Sequence, residues 1–537
     1  MIDGQTNFDG IINPDEVLEG TLNIFTDGKL VFLNPDVGVM GGPSPFTDAG
    51  PSHAFVDTFN MNNKGTLAIE FSPDDSAGAY TTINANEANL KGTFSAIYGY
   101  NLYDDKMFYD NVIDAEDRNG KFTKVVDNSA LLKTTLIYDG DDNVDVKVKR
   151  QGFGDVKGLT KNQESVGDGI EKVYDKVSGN GDFAQMVENL FMLNEKDYQD
   201  ALDQLSGAEF AQMAQSLLWS TNILNASVTD RMDCGLNWLP GAGSDGERGY
   251  DSCFEPGQFQ LWGRITGGWN TNDGDENAPG YDETQQGYYV GADYAFNDKL
   301  FMGLAGGYFS SDMDFNKWGG RDGATIDYDG AQIALYGGWD NSKSYLRKIV
   351  SFGSYSGESH RDVGIGMSPV DPDGNFDASV VSAYGEVGHR FDVMNNTMLT
   401  PFLGLGLASA DIDTFTEKDP NGTGAALKVR GTDASSFAST LGVRVNGKWG
   451  ALTPELSLAW RHEFDQTTQK VHTGFASAPG NATFDVISSD PGADALLVGV
   501  GGTYQVNGSS DVMLRYDGTF MSGYDSQNVT ARWTSKF

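Results

Sequence analysis

Cysteine, histidine and positive charge are all scarce in this 537-residue chain: 2 Cys, 5 His, and 37 Lys+Arg against 76 Asp+Glu, a net charge of -39. Two cysteines cannot build a disulfide scaffold or a cysteine-rich metal site. So large an excess of acid repels phosphate backbones and excludes nucleic acid as a partner. No stretch approaches 18 consecutive apolar residues, which excludes a helical membrane protein. It does not exclude a membrane protein built of strands, whose apolar residues are hidden by alternation. The start, Met1-Ile2-Asp3-Gly4, lacks the basic and apolar segments of a signal peptide; if the protein is exported, the signal is expected upstream or already removed. A hydrophobic content of 39% with 31 Phe and 22 Tyr is too rich for a disordered acidic chain.

Residues 1 to 159 carry short alternating runs broken by Asp, Asn and Gly, such as Gly20–Phe25, Lys29–Leu33 and Gly65–Phe71. Short strands with irregular turn spacing fit the coils of a parallel β-solenoid better than a closed sandwich. The stretch from Tyr80 to Lys149 has denser strands and is placed as its cap.

At about Thr160 the period changes. Phe183, Met186, Val187 and Leu190, then Tyr198, Leu202 and Leu205, recur at helical spacing. The longest helix is expected from Ala208 to Met232, roughly 37 Å at 1.5 Å per residue and so longer than the ~25 Å apolar band of an outer-membrane barrel. Its polar face of Gln212, Gln215, Ser216, Asn222 and Thr229 suits either solvent or a wet channel.

From residue 258 onward the period is 2. Phe259, Leu261 and Ile265 alternate with Gln260, Trp262, Arg264 and Thr266; Tyr288, Val290 and Tyr294 alternate with Tyr289 and Asp293; Val512, Leu514 and Tyr516 alternate with Met513, Arg515 and Asp517. Twelve such strands are expected, starting near 258, 284, 299, 325, 344, 376, 397, 434, 451, 493, 510 and 527. Tight turns such as Asn297-Asp298, Asn446-Gly-Lys448 and Asn507-Gly-Ser509 alternate with long acidic connections at 270–276, 411–432 and 466–486. An even strand number with short turns at one end and long loops at the other is the layout of an outer-membrane barrel. A soluble all-β domain has no reason to sort its loops that way. The last strand, Val529 to Phe537, ends on an aromatic of the outward set with Trp533, which suits closure against the first strand.

In this order, Ala201-Leu-Asp-Gln-Leu-Ser-Gly207, Asp230-Arg-Met232, Gly291-Ala-Asp-Tyr294, Leu399-Thr-Pro-Phe402, Leu441-Gly-Val-Arg444, Leu458-Ala-Trp-Arg-His-Glu-Phe464 and the terminal Phe537 resemble the autotransporter (type V secretion) family. Residues 65–150 resemble its junction region, which helps a β-helical passenger fold. The resemblance implies a mainly β fold: a 12-stranded antiparallel transmembrane β-barrel with a lumenal α-helix, preceded by a β-solenoid and autochaperone-like segment. The corresponding parts are a passenger stub at 1–64, the junction at 65–159, a helical linker at 160–257 with the pore helix 208–232, and the translocator barrel at 258–537. It implies secretion and surface display of the chain's own N-terminal part, the helix filling the pore; the protein is expected to be no enzyme and to need no cofactor. Implied partners are outer-membrane lipid and lipopolysaccharide, the outer-membrane assembly machinery and periplasmic chaperones, with the barrel a monomer. Trp533 and Phe537 take the place of the assembly signal. No Asn-Asn step lies between 208 and 232, the nearest match being Asn225-Ala226, so the passenger is expected to stay attached.

Enzymatic alternatives find little footing. His53 stands near Ser44 without a nucleophile elbow of the G-x-S-x-G kind around a serine. His360, between Glu358 and Asp362, invites comparison with rim-located surface proteases, which need a second acidic pair across the mouth; a barrel-rim or passenger hydrolase is the alternative function. His389 and His462 have outward parity and suit interfacial packing. The run Asp139–Asn143 lacks the glycine and closing glutamate of a calcium loop. Cys234 and Cys253 flank a Gly-rich segment, and export to an oxidising compartment would let them close a loop worth roughly 3 kcal/mol. The constellation expected to matter is the set of charges with inward parity: Arg264, Glu386, Arg390, Arg444, Arg461, Glu463, Arg515, Asp517 and Arg532, read as rings lining a wet pore and bonding the helix.

Overall fold

The computed structural model describes residues 17–24, 29–32, 53–140, 142–179, 181–232, 257, 259–297, 299–341, 343–365, 371–394, 396–480 and 482–536. The chain first runs through β1 (Val17–Ile24), β2 (Lys29–Phe32), β3 (His53–Met61), β4 (Thr66–Phe71), β5 (Thr82–Leu90), β6 (Thr93–Tyr98), β7 (Lys106–Gly120) and β8 (Lys124–Asp127). Odd strands form one parallel sheet and even strands another, so each odd–even pair is one coil of a solenoid. Inward side chains stack from coil to coil: Leu67 on Phe94, Ile69 on Ala96, Phe71 on Tyr98, all fully buried. Gly92 turns the corner between β5 and β6 at φ +71°, where a Cβ would lie 2.3 Å from the Gly65 carbonyl oxygen; only glycine lets consecutive corners stack so closely. The solenoid continues through the 64/65 division drawn from the sequence, because Gly65 is the corner of a single coil. The hairpin β9 (Leu132–Asp139) and β10 (Asn143–Arg150) pairs antiparallel to β7 and ends that sheet; Asp139 and Asn143 of the acidic run are its last paired residues.

The linker helices are α1 (Lys161–Glu171), α2 (Asp182–Leu190), α3 (Glu195–Ser206) and α4 (Ala208–Met232). Thr160 and Gln163 form a capping box that starts α1, and the Asn194 side chain caps α3. Gly207, left-handed at φ +66°, ends α3 and turns the chain straight into α4. Arg150, 8% exposed, ties the solenoid to α1: it donates two bonds to Glu171 at 2.8 and 2.9 Å, also bonds Asp105, and lies over the Tyr174 ring.

The rest is β11 (Phe259–Gly274), β12 (Pro279–Ala295), β13 (Leu300–Phe315), β14 (Thr325–Asp340), β15 (Ser344–His360), β16 (Asp373–His389), β17 (Phe391–Met394), β18 (Thr397–Ile412), β19 (Phe415–Thr416), β20 (Lys428–Val429), β21 (Gly431–Gly447), β22 (Leu452–Glu463), β23 (Lys470–Gly474), β24 (Thr483–Ile487), β25 (Asp494–Gln505), β26 (Ser510–Phe520) and β27 (Tyr524–Lys536). A closed 12-strand antiparallel barrel results: β27 pairs with β11 and β18 with β21, so neither end is left open. The short strands β19, β20, β23 and β24 belong to the two longest connections. The expected face assignment holds residue by residue. Phe259, Ile265, Val290, Leu304, Leu405, Leu514 and Trp533 stand outward and exposed, whereas Trp262, Tyr289, Tyr336 and Tyr355 are buried inward.

One loop was misplaced by sequence. Residues 270–274 are not loop but the end of β11, paired with β12 and β27, and the turn is confined to 275–278. Asn270 and Asn272 are polar because they face the lumen, at 2% and 0% exposure. The matching connection 521–523 is equally short, so only four of the connections at that end are long.

A half-buried carboxyl sits where α1 meets α3. Burial pushes Asp203 up to about 7, helped by Asp200 and Glu209 and opposed by the Gln163 amide, which donates to it at 2.8 Å. The folded chain therefore holds a proton that the unfolded chain releases near 4, so the linker's stability falls as pH rises through the window from 4 to 7. Hydrogen exchange over 161–206 is expected to be faster at pH 8 than at pH 5. Asp203→Asn should remove that dependence and gain on the order of 1–2 kcal/mol at pH 8, allowing for solvent screening.

Candidate functional site

Helix α4 runs down the inside of the barrel from the long-loop end to the short-turn end. Twenty of its residues are buried, on every side, which resolves the choice between solvent and channel in favour of the lumen. Its polar face is bonded to the wall. Ser216 donates to Glu283 at 2.5 Å and accepts from Tyr328 at 2.8 Å. Ser220 meets Tyr355 at 2.9 Å, Asn225 donates to Ser382 at 3.0 Å, and Gln212 donates to the Pro279 carbonyl at 2.7 Å. Glu283, 2% exposed, also receives Ser311, Asn270 and Gln285, so one buried carboxylate is held by four neutral donors.

At the lower end the helix meets the barrel's closing seam. Arg264 of β11 and Arg532 of β27 face each other directly in register, on the same inward face. Like charges placed opposite each other repel. The helix supplies the remedy: Asp230 accepts from Arg264 at 2.9 Å, and its backbone carbonyl accepts from Arg532 at 2.6 Å. Arg515, bonded to Glu455, Asp517 (2.8 and 2.9 Å) and Ser457 (2.9 Å), approaches the same carboxylate at 3.9 Å. The neighbouring Arg231 of the helix pairs with Asp293 at 2.8 Å and with Gln260.

The other expected lumen charges form separate ion pairs on the barrel wall. Arg444 grips Glu386 with two bonds of 2.8 and 2.9 Å, and Tyr345 and Tyr384 donate to the same carboxylate. Arg347 lies 3.6 Å from it. Arg390 pairs with Asp340 at 3.0 and 2.9 Å near the short turns, and Arg461 with Glu463 at 2.9 Å towards the long loops. Of the expected set, Arg264, Arg515 and Arg532 reach the helix. The carboxylates Asp230, Glu283, Asp293, Asp340 and Glu455 were not singled out; inward parity marked Asp293 from the outset, but parity names a face and not a partner.

Helix α4 packs on β14, β15, β16, β18 and β21, and beside it a cavity of about 310 Å³ remains, lined by the helix and by residues of β11, β12, β16, β18, β21, β22 and β25 to β27. The wall there bears small side chains, including Ser436, Ala438, Ser457, Ala459 and Gly518.

The histidines weighed for catalysis are structural in their surroundings. His53 bonds Thr82 at 2.8 Å across two coils, and His360 bonds Asp373 at 2.7 Å between adjacent strands. His389 packs edge-on against Phe391 and bonds Ser344, while His462 sits between Trp460 and Phe464 and bonds Asp494. Ser44, Cys234, Cys253 and Phe537 lie outside the described residues. Trp533 is outward on β27 and 47% exposed.

Residues 261–517 match a family model described as the autotransporter β-domain. Two curated proteins from Serratia marcescens, each an extracellular serine protease, are 24% identical over 348 and 351 residues. The matches cover 64% of this chain and 31% of those proteins, so the chain spans about a third of their length. Among solved structures, the translocator domain of autotransporter NalP from Neisseria meningitidis is matched over 62% of this chain and 98% of that one, at 12% identity and a TM-score of 0.45. The transport unit of the autotransporter AIDA-I from Escherichia coli is matched over 58% and 98%, at 15% identity and a TM-score of 0.39.

Neutralising the helix acid at the seam is the direct test of its role. Asp230→Asn leaves Arg264 and Arg532 facing each other without a charge between them, a loss of about 3–5 kcal/mol for a buried pair. The temperature at which the barrel loses its fast, folded mobility in detergent gels is expected to drop, and Asp230→Asn combined with Arg532→Gln should recover much of the drop.

Proposed function

The C-terminal half of the chain belongs to the autotransporter β-domain family, and from that premise we propose that the protein carries its own N-terminal solenoid across the bacterial outer membrane and holds it at the cell surface. The observation that carries this reading is the path of one continuous chain. The solenoid is clamped by Arg150 to the linker, and the linker caps the long-loop end: Asn162 bonds Asn277 and Ile487, and Gln204 bonds Gly319. The chain then descends the lumen as α4 and ends beside the closing strands. A protein whose N-terminal part lies outside and whose barrel starts at the inner end has this course.

The outward band of Phe, Leu, Val and Trp is proposed to meet outer-membrane lipid and lipopolysaccharide, with the barrel a monomer. Trp533 on the terminal strand and the last residue, Phe537, are proposed as the signal taken by the assembly machinery, after periplasmic chaperones deliver the chain. The solenoid is read as a non-catalytic display module. The second reading, a passenger-borne hydrolase, is favoured by the likeness to extracellular serine proteases; the pairing of His53 with Thr82 and the absence of a nucleophile elbow weigh against it.

Deleting Phe537 tests the first reading. Barrel assembly, followed as the folded form in outer-membrane fractions, is expected to fall several-fold, together with access of an added protease to residues 53–150 in intact cells. Undiminished assembly and exposure would contradict it. For the second reading, intact cells should show no hydrolysis of casein that is lost in His53→Ala or His360→Ala.

A further inference from the structure

Two consecutive cations of β15 stand on opposite faces of the barrel wall. Arg347 is buried in the lumen, its guanidinium 4.0 Å from the centre of the Tyr345 ring, whereas Lys348 is exposed on the outward face. The groups around Lys348 cannot pair with it. Gly337 and Gly385 lie directly opposite on the two neighbouring strands, Met302 and Leu405 one strand further on each side, and Leu346 and Val350 two residues away along β15. Among the described residues Lys348 has no hydrogen-bond or ion-pair partner, and no other lysine or arginine stands outward within the apolar band. A charge facing hydrocarbon is costly, and its position marks a site that needs a partner of opposite sign.

The height of Lys348 in the wall says which anion that is. Ser344 starts β15 just after a short turn, so Lys348 stands about 10 Å inside that end, at ~3.3 Å per residue and a tilt of roughly 40°. Trp339, outward and half-exposed, lies one row nearer the turn beside Leu346, and His389, bonded to Ser344 at 2.8 Å, follows in the next row. An outward tryptophan at that level marks the boundary where acyl chains meet headgroups. The flexible four-carbon stem of a lysine lets its ammonium reach that boundary while the stem stays in apolar surroundings. Glycine on both flanks leaves the stem a trough. At Gly385 an added Cβ would meet nothing nearer than the Arg347 carbonyl at 3.9 Å, so packing of the wall alone does not demand the gap.

We propose that Lys348 is a phospholipid site: its ammonium binds the headgroup phosphate of one glycerophospholipid in the leaflet on the short-turn side, and the acyl chains lie along the trough over Gly337 and Gly385. The proposal rests on the outer-membrane reading. It adds to the general contact of an apolar band with lipid one fixed position on the wall, where a phosphate supplies the charge that no side chain provides.

The test is native mass spectrometry of the folded full chain in detergent, with dioleoyl phosphatidylglycerol added. The wild type is expected to retain one phosphatidylglycerol, and to retain dioleoylglycerol, which lacks the phosphate, at least several-fold less. Lys348→Met keeps the length of the stem and removes the charge from the lipid face, so it is expected to fold like the wild type by gel mobility and to retain phosphatidylglycerol at least several-fold less. Lys348→Arg is expected to keep the lipid, as is Lys299→Ala, which removes a cation beside another short turn. Inorganic phosphate is expected not to displace the lipid. The proposal is overturned if folded Lys348→Met retains phosphatidylglycerol like the wild type, if dioleoylglycerol is retained equally well, or if inorganic phosphate strips the lipid. A full chain that forms no folded barrel by gel mobility and enters no phospholipid vesicle overturns the outer-membrane reading itself, and this proposal with it.

Discussion

In hydrocarbon an unpaired peptide group has no water to turn to, so a strand-built membrane protein must close its hydrogen-bond ladder on itself. Here that closure brings Arg264 and Arg532 face to face at the seam between first and last strands. Asp230, arriving on the helix, takes a bond from each guanidinium, and Asp511 lies 4.0 Å from Arg532. Barrel closure and helix placement are thus one electrostatic problem with one solution. The rest of the lumen follows from it: with the lower end of α4 fixed by Asp230 and Arg231, the serines and amides higher up fall opposite Glu283, Tyr328, Tyr355 and Ser382.

The same chemistry recurs where parts of the molecule join. Arg150 fastens the solenoid to α1, and Arg361 fastens the α3 end to Glu417 of the connection between β18 and β21; each guanidinium binds one carboxylate with two bonds and adds backbone or second-acid partners. Planar bidentate pairing fixes direction as well as distance. In a chain with 37 basic against 76 acidic residues, cations are the scarce partner, and two buried arginines, Arg150 and Arg361, sit at the joints. Most of the excess acid needs no partner because it lies in turns and on the solenoid, open to water.

Much of this was legible in the sequence. Period-2 alternation gave the faces of all twelve strands, since an apolar side chain in lipid and a polar one in a wet lumen leave opposite marks. The bounds of α4 followed from helical spacing bracketed by Gly207 and Asp230-Arg-Met232. Asn270 and Asn272 misled because a polar residue facing the lumen of an extended strand looks the same as one in a loop. Partnerships were not legible. Parity places Arg444 and Glu386 inside, but which strand lies across from which depends on tilt and closure, and those are set by the whole ladder. The unfilled cavity was equally hidden: it arises from many small side chains on β18 to β26 acting together, none unusual alone.

The central claim is an orientation: solenoid and long connections outside, short turns inside, α4 between. Labelling of intact cells with a membrane-impermeant maleimide tests it, in a chain whose two native cysteines are replaced by serine. Cysteine placed in the solenoid as Asn86→Cys or in the long-loop end as Ala478→Cys is expected to label in intact cells, and Asn507→Cys only after the outer membrane is permeabilised. Labelling of Asn507→Cys in intact cells, with Asn86→Cys and Ala478→Cys protected, would contradict the account.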